Sequence, residues 1–325
     1  MNRYLIPCTV TAALAGVAVG LTAHGVLDDP APAAGRAPSP RPAAAHKPAP
    51  PTRHLALNMP AADHAKAAAL GFDLFDVGPD ESAINALPAG AQALVWAGNS
   101  TCGDFQLSGD TFATAVRRLA RNPRVYGWYL SDEPDPRRCP GIAGKIRERA
   151  DLIHRHAPGQ KAFGILTDWP MKALRPSETH LDVIGLDPYP CRARKPGCDL
   201  NTINAMVGQA TEAGFDKSKI VPVFQTFGQS CTGAAENWRL PTAGQLKAIL
   251  NRWDDVLPRP AFDVSYSWGN QPQWSCPTLA DADGTRGRPD LQAVMKAHNT
   301  RPAPRPKPSP PACETTRPSR GATVE

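Results

Sequence analysis

Between residues 54 and 300 the chain alternates between short apolar runs, rich in β-branched and aromatic residues, and longer stretches with helical spacing. The runs are 54–59, 72–79, 93–99, 125–134, 161–168, 181–190, 219–228 and 262–270. The intervening stretches differ in quality. In 108–121, Phe112, Val116 and Leu119 recur at helical spacing behind Ser108 or Asp110 as caps. In 141–156, Ile142, Ile146, Ala150 and Ile153 share one face. In 242–257, Thr242 and Gln245 form a capping box ahead of Leu246, Ile249 and Leu250. After the second and fifth runs the segments are short and contain proline, and the helical pattern is weak. Eight strand-like runs, each followed by a crossover, predict a (β/α)8 TIM barrel. A doubly wound sheet is the alternative. It normally brings a Gly-rich phosphate turn after its first strand, where this chain has Pro60-Ala61-Ala62-Asp63.

Outside that region the pattern breaks down. Nine of the 36 prolines lie in 1–53 and seven in 301–325, so both ends read as extended and solvated. The expected organisation is a signal peptide or membrane anchor over 1–25, a Pro/Ala-rich linker over 26–53, the barrel over 54–300 and a Pro-rich tail over 301–325. Arg3 precedes an apolar run from Leu5 to Ala23, and Asp28 and Asp29 follow it. This charge order directs everything after the run outward, with cleavage near Ala23 or Gly25, or with retention of a single N-terminal anchor. A secreted or extracytoplasmic membrane-anchored protein is therefore expected, and a monomer.

Export gives the cysteines a meaning. Six of the eight lie between 54 and 300, an even number in an oxidising compartment. No C-x-x-C pair points to zinc. In a barrel all six fall in loops at the C-terminal mouth. Loops of neighbouring strands are themselves neighbours, so the expected pairs are Cys102–Cys139, Cys191–Cys198 and Cys231–Cys276. Cys313 is left over in the tail.

Charge narrows the partners. The chain carries a formal +6, but residues 54–300 hold 26 basic and 26 acidic groups. A neutral middle argues against a nucleic-acid-binding core. His54 opens the first strand, at the end of a barrel that does not carry metal sites; His154 and His156 stand two apart on a helix and cannot share a face, and no H-E-x-x-H occurs. There is no G-x-S-x-G elbow. Neither a metal nor an organic cofactor is implied.

The strand ends carry the chemistry. The fourth ends in Ser131-Asp132-Glu133-Pro134, the fifth in Asp168-Trp169, the sixth in Asp187-Pro188-Tyr189-Pro190, the seventh in Gln225-Thr226-Phe227-Gly228, and the eighth in Trp268-Gly269-Asn270. Paired acids and exposed aromatics suit glycan chemistry: one acid protonates a leaving oxygen, another activates water or attacks carbon, and flat rings stack on sugars. Here the sequence resembles the TIM-barrel glycoside hydrolases, in particular the retaining clan with its acid/base in Asn-Glu-Pro after strand four, matched by Asp132-Glu133-Pro134. The resemblance covers 54–300 in layout and only these short motifs in identity. It implies Glu133 as general acid, Tyr189 as the aromatic after strand six and Trp268 as the tryptophan after strand eight.

The chain departs from that pattern at strand seven, where the family's nucleophilic glutamate is replaced by Gln225. The second carboxylate must then come from elsewhere, with Asp187 first, then Asp168 and Asp132. Carboxyls about 6.5–9.5 Å apart would serve inversion, against about 5–5.5 Å for retention. Asp132, Asp168, Trp169, Tyr189, Gln225 and Trp268 are the expected carbohydrate-binding residues. Asp76 and Asp263, inside strands, are expected to be buried partners of basic groups. Two further readings stay open: a non-catalytic carbohydrate- or cell-wall-binding barrel that has lost the nucleophile, and an envelope structural protein.

Overall fold

The computed structural model describes residues 50–280 and 288–302. The proposed signal or anchor, most of the linker, nearly all of the Pro-rich tail, Cys8 and Cys313 lie outside the described residues. Eight parallel strands close on themselves in chain order: β1 (Arg53–Ala56), β2 (Leu74–Val77), β3 (Gln92–Ser100), β4 (Val125–Asp132), β5 (Lys161–Leu166), β6 (Val183–Leu186), β7 (Ile220–Gln225) and β8 (Phe262–Tyr266). β1 pairs with β8, His54 opposite Asp263. This is the (β/α)8 barrel expected from the pattern.

Side-chain alternation divides the core into two. Leu55, Leu74, Leu94, Tyr129, Phe163, Val221, Val223, Phe262 and Val264 point into the barrel. Their neighbours, among them Phe75, Trp128, Ile184 and Phe224, point outward to meet the helices. The helices are α1 (His64–Ala68), α2 (Glu81–Asn85), α3 (Gly109–Leu119), α4 (Ile142–His156), α5 (Pro176–Thr179), α6 (Asn201–Glu212), α7 (Ala243–Val256) and α8 (Pro289–Asn299). Ser108 caps α3 by accepting from Thr111 N, and the Thr242/Gln245 box opens α7. The two weak segments form a five-residue helix and a 3-10 turn leading into four helical residues, which suffice to cross over.

Two register shifts meet at Leu130 of the fourth strand. Ala97 and Gly98 of β3 stand against Leu130 alone, and Leu130 is itself an extra residue against β5. A Cβ on Gly98 would lie 2.6 Å from the Leu130 carbonyl carbon, so this crossing requires glycine. Strict alternation from the inward Tyr129 would turn Asp132 outward. The extra residue returns it inward, where it accepts from the Tyr129 hydroxyl at 2.6 Å.

At the opposite, N-terminal end, Asp263 is buried between His54 and His298. His54 Nδ1 lies 2.9 Å from one oxygen and His298 Nε2 2.8 Å from the same oxygen. This fulfils the expectation that Asp263 has a basic partner, and it ties α8 to β1 and β8. Burial pulls His54 down, but the Asp263 carboxylate outweighs it and the net shift is upward. Burial pushes Asp263 up, and the two imidazoles reverse this to about 2. The Asp263 contribution is present above its ordinary 3.8 and is lost as pH falls toward 2. The His54 contribution is full below its ordinary 6.5 and is lost as pH rises through the raised value. Asp263→Asn should therefore cost about 3 kcal/mol in denaturant unfolding, with the largest gap from wild type between about pH 4 and 6.5.

Candidate active site

The loops after the strands are stapled as expected. Cys102–Cys139, Cys191–Cys198 and Cys231–Cys276 are bonded, with Cα separations of 5.7, 4.2 and 5.5 Å. All three lie at the C-terminal mouth, the face on which barrels of this type carry function.

At that mouth three carboxyls meet. Glu133 follows β4 with its backbone in the left-handed region, φ 46°, while its N–H continues the ladder to Ile165 O at 3.0 Å. For a residue with a Cβ that conformation costs roughly 1–3 kcal/mol and is held by its surroundings. It carries the side chain across β5 toward Asp187 at the end of β6. Asp187 is 3% exposed, and both of its oxygens are buried with no basic partner. Its polar neighbour is the Glu133 carboxyl, near enough for the two to be joined by one proton. Burial drives Asp187 well above the carboxylate range, and Glu133 and Asp132 push it further. Asp132 rises to about 6 by burial and the charge of Glu133, against hydrogen bonds from Tyr129 and Ser100. Two carboxyls this close resist ionising together, and Asp187, the more deeply buried, is the one held toward its protonated form.

Aromatic rings enclose the cluster. Tyr189, φ 34°, stacks on Tyr266 at 5.8 Å and meets Phe227 and Trp238 edge-on. Burial and the neighbouring acids raise both phenols, keeping them neutral. Trp238 is held in turn under Arg192, in the stapled loop after β6.

The remaining expected residues divide. Asp168 is exposed on the rim, where it faces Arg137, and Arg137 lies 5.5 Å over the Trp169 ring. Gln225, expected to bind ligand, is withdrawn from the mouth. It is fully buried, its Oε1 accepts from Cys191 N at 2.8 Å, and its Nε2 donates to Cys191 O and Arg239 O at 3.0 Å each. The amide is spent on backbone, and only an amide satisfies both an N–H and two carbonyls there. Trp268, expected to orient sugar, is also corrected. It is fully buried outside the barrel, edge-on to Phe72, with its Nε1 donating to Asp63 at 2.8 Å. β8 ends at Tyr266, and it is Tyr266 that faces the mouth.

Asp76 was expected to pair with a basic group, and it does not. It follows the inward Leu74 on β2 and takes its hydrogen bonds from backbone N–H groups, Asn58 N at 3.0 Å among them, while Oδ1 is buried without a partner. Burial raises it to about 7. A groove of about 570 Å³ opens beside it, lined also by Met59, His64, Val77 and Pro88. Asn58, Gln271 and the Tyr266 hydroxyl join it by hydrogen bonds to the aromatic wall. The available signal was alternation: Asp76 sits two residues after an inward leucine at a strand's C-terminal end.

No family model and no curated protein matches the sequence. Solved structures do match. A Bacteroides uniformis β-glucuronidase 2, covalently bound to cyclophellitol-6-carboxylate aziridine, has TM-score 0.53 at 11% identity, over 78% of this chain and 35% of its own. A β-galactosidase from Marinomonas ef1 has TM-score 0.53 at 9% identity, over 76% and 59%. A Lactobacillus rhamnosus β-glucuronidase has TM-score 0.53 at 16% identity, over 78% and 50%. The chain thus spans between about a third and three fifths of these proteins. At such identities the likeness is one of fold, the closed (β/α)8 barrel.

Two outcomes follow from the geometry. Gln225→Glu should supply no nucleophile and should destabilise the fold by about 3 kcal/mol or more in denaturant unfolding, because a carboxylate would face two carbonyls. Asp76 and Asp132 hold protons in the folded state that the unfolded chain releases above 3.8. Their contribution to stability therefore falls as pH rises through that value toward about 7. Asp76→Asn should raise the melting temperature at pH 8 by several degrees and leave it nearly unchanged at pH 4.

Proposed function

We propose that this chain is an extracellular glycoside hydrolase acting on a poly- or oligosaccharide. The observation that carries the reading is the Glu133–Asp187 pair, which keeps a proton at the mouth of a glycosidase-type barrel. Glu133 is the general acid and delivers that proton to the leaving glycosidic oxygen. Asp187, first expected as the base, is shielded from water at both oxygens. It acts as a positioning residue, its raised carboxyl hydrogen-bonded to Glu133 and sharing a proton with it. Glycosidic cleavage needs a second carboxylate on the far side of the bond. β2 is four strands from β6 around the closed barrel, so Asp76 stands on the opposite wall. A value of about 7 suits a base that takes a proton from water near neutrality. Tyr189 and Tyr266 provide the rings against which a sugar stacks. Three disulfides support an oxidising, extracytoplasmic location, and Arg3 ahead of the apolar run at 5–23 supports export or a single anchor.

One observation favours a second reading, a carbohydrate-binding barrel without activity: the strand-seven position holds an amide consumed by backbone. Reducing-end release from a polysaccharide panel separates the two. The hydrolase reading predicts release that falls by at least about 100-fold in both Glu133→Gln and Asp76→Asn, the scale of losing a general acid or base. Retention of glycan by wild type with no release would establish the binding module.

A further inference from the structure

The charge balance of the mouth points to the chemistry of the sugar. Asp132, Glu133 and Asp187 sit together, three acids acting on one another. None of the three, nor Asp76, takes part in an ion pair; the ion pairs of the described residues all lie elsewhere. Asp187 is buried, and the groups that act on its carboxyl are acids and its own backbone N–H, with no cation among them. The charged groups that act on Asp132, Asp187, Tyr189 and Tyr266 are other acids and phenols. This shortage of cations is local, because residues 54–300 contain as many basic as acidic groups. Burying uncompensated carboxylates is costly, and a free site answers by taking up protons. A bound cation answers in the same way, and stacked neutral phenols add a quadrupole that favours it.

We propose that the mouth selects a glycan bearing free amino groups, an unacetylated amino sugar whose ammonium lies against the Asp132 carboxylate beside the Tyr189–Tyr266 stack. Asp132 is the right acceptor, because it is a separate anion while Glu133 and Asp187 keep their shared proton for the leaving group. A uronic acid fits poorly: its carboxylate would enter a site with three acids and no basic partner among them. An N-acetylated sugar loses the charge and adds an acyl group. This inference deepens the glycosidase reading and rests on it for the sugar, though not for cleavage.

The test is binding by the full chain to amino-sugar oligosaccharides, each offered before and after chemical N-acetylation, with neutral oligosaccharides of equal length alongside. A chain of formal charge +6 has no general attraction for a polycation. The expected result is tighter binding of the unacetylated member by about tenfold or more, a preference on the scale of one partly desolvated charge contact. Asp132→Asn should bring the members of each pair within about twofold. The wild-type comparison stands without the variant if Asp132→Asn fails to fold. Equal or tighter binding of the N-acetylated or neutral member overturns the proposal and leaves the hydrolase reading in place. Preferential binding of the amino form with no cleavage upholds the proposal and overturns the hydrolase reading. No binding of any glycan overturns both.

Discussion

A carboxyl buried at the end of a barrel strand, with no basic partner, is unfavourable unless it carries a proton. Asp187 is in that position, and Glu133 is the group close enough to share the proton. The rest of the mouth is arranged around that contact. The left-handed backbone at Glu133 brings its side chain across β5. The bulge at Leu130 turns Asp132 inward as a second source of negative charge. Tyr189 and Tyr266 stack beside the cluster and stay neutral, so they add no positive charge to relieve it. On the proposed reading, this site keeps a proton for a general acid.

The scaffold divides its tasks between two ends. At the N-terminal end the buried acid is fully compensated, with Asp263 between His54 and His298, and the arrangement fastens α8 to the barrel. At the C-terminal end the acids are uncompensated, and stability is given up. Loops there are made rigid by other means: three disulfides and the Gln225 amide, which fixes the chain at Cys191 and Arg239 beneath the aromatic wall. Gln225 thus preserves the shape of the mouth rather than its chemistry.

Much of this was legible in the sequence because it depends on local periodicity. Eight apolar runs gave the barrel, and the loop order of the six cysteines gave their pairing. Asp132-Glu133-Pro134 and Asp187-Pro188-Tyr189 fell at strand ends and were brought together. What the sequence did not reveal depends on where each strand stops and on its register. Trp268 reads as a mouth residue until β8 is seen to end at Tyr266. Asp76 reads as a paired core acid until its neighbours prove to be backbone N–H groups. Gln225 reads as a ligand contact until the loop it holds is traced. The separation of Glu133 and Asp187 could not be anticipated either, since it comes from one positive φ angle.

The central claim is that the Glu133–Asp187 pair keeps a proton near neutral pH. Infrared difference spectroscopy in the carboxylic-acid C=O region, comparing wild type with Asp187→Asn and Glu133→Gln, tests it without any assumption about substrate. The account predicts a protonated-carboxyl band at pH 7 in wild type that loses intensity in each variant. A wild-type spectrum at pH 7 with no carboxylic-acid band, every carboxyl at the mouth being ionised, would contradict it.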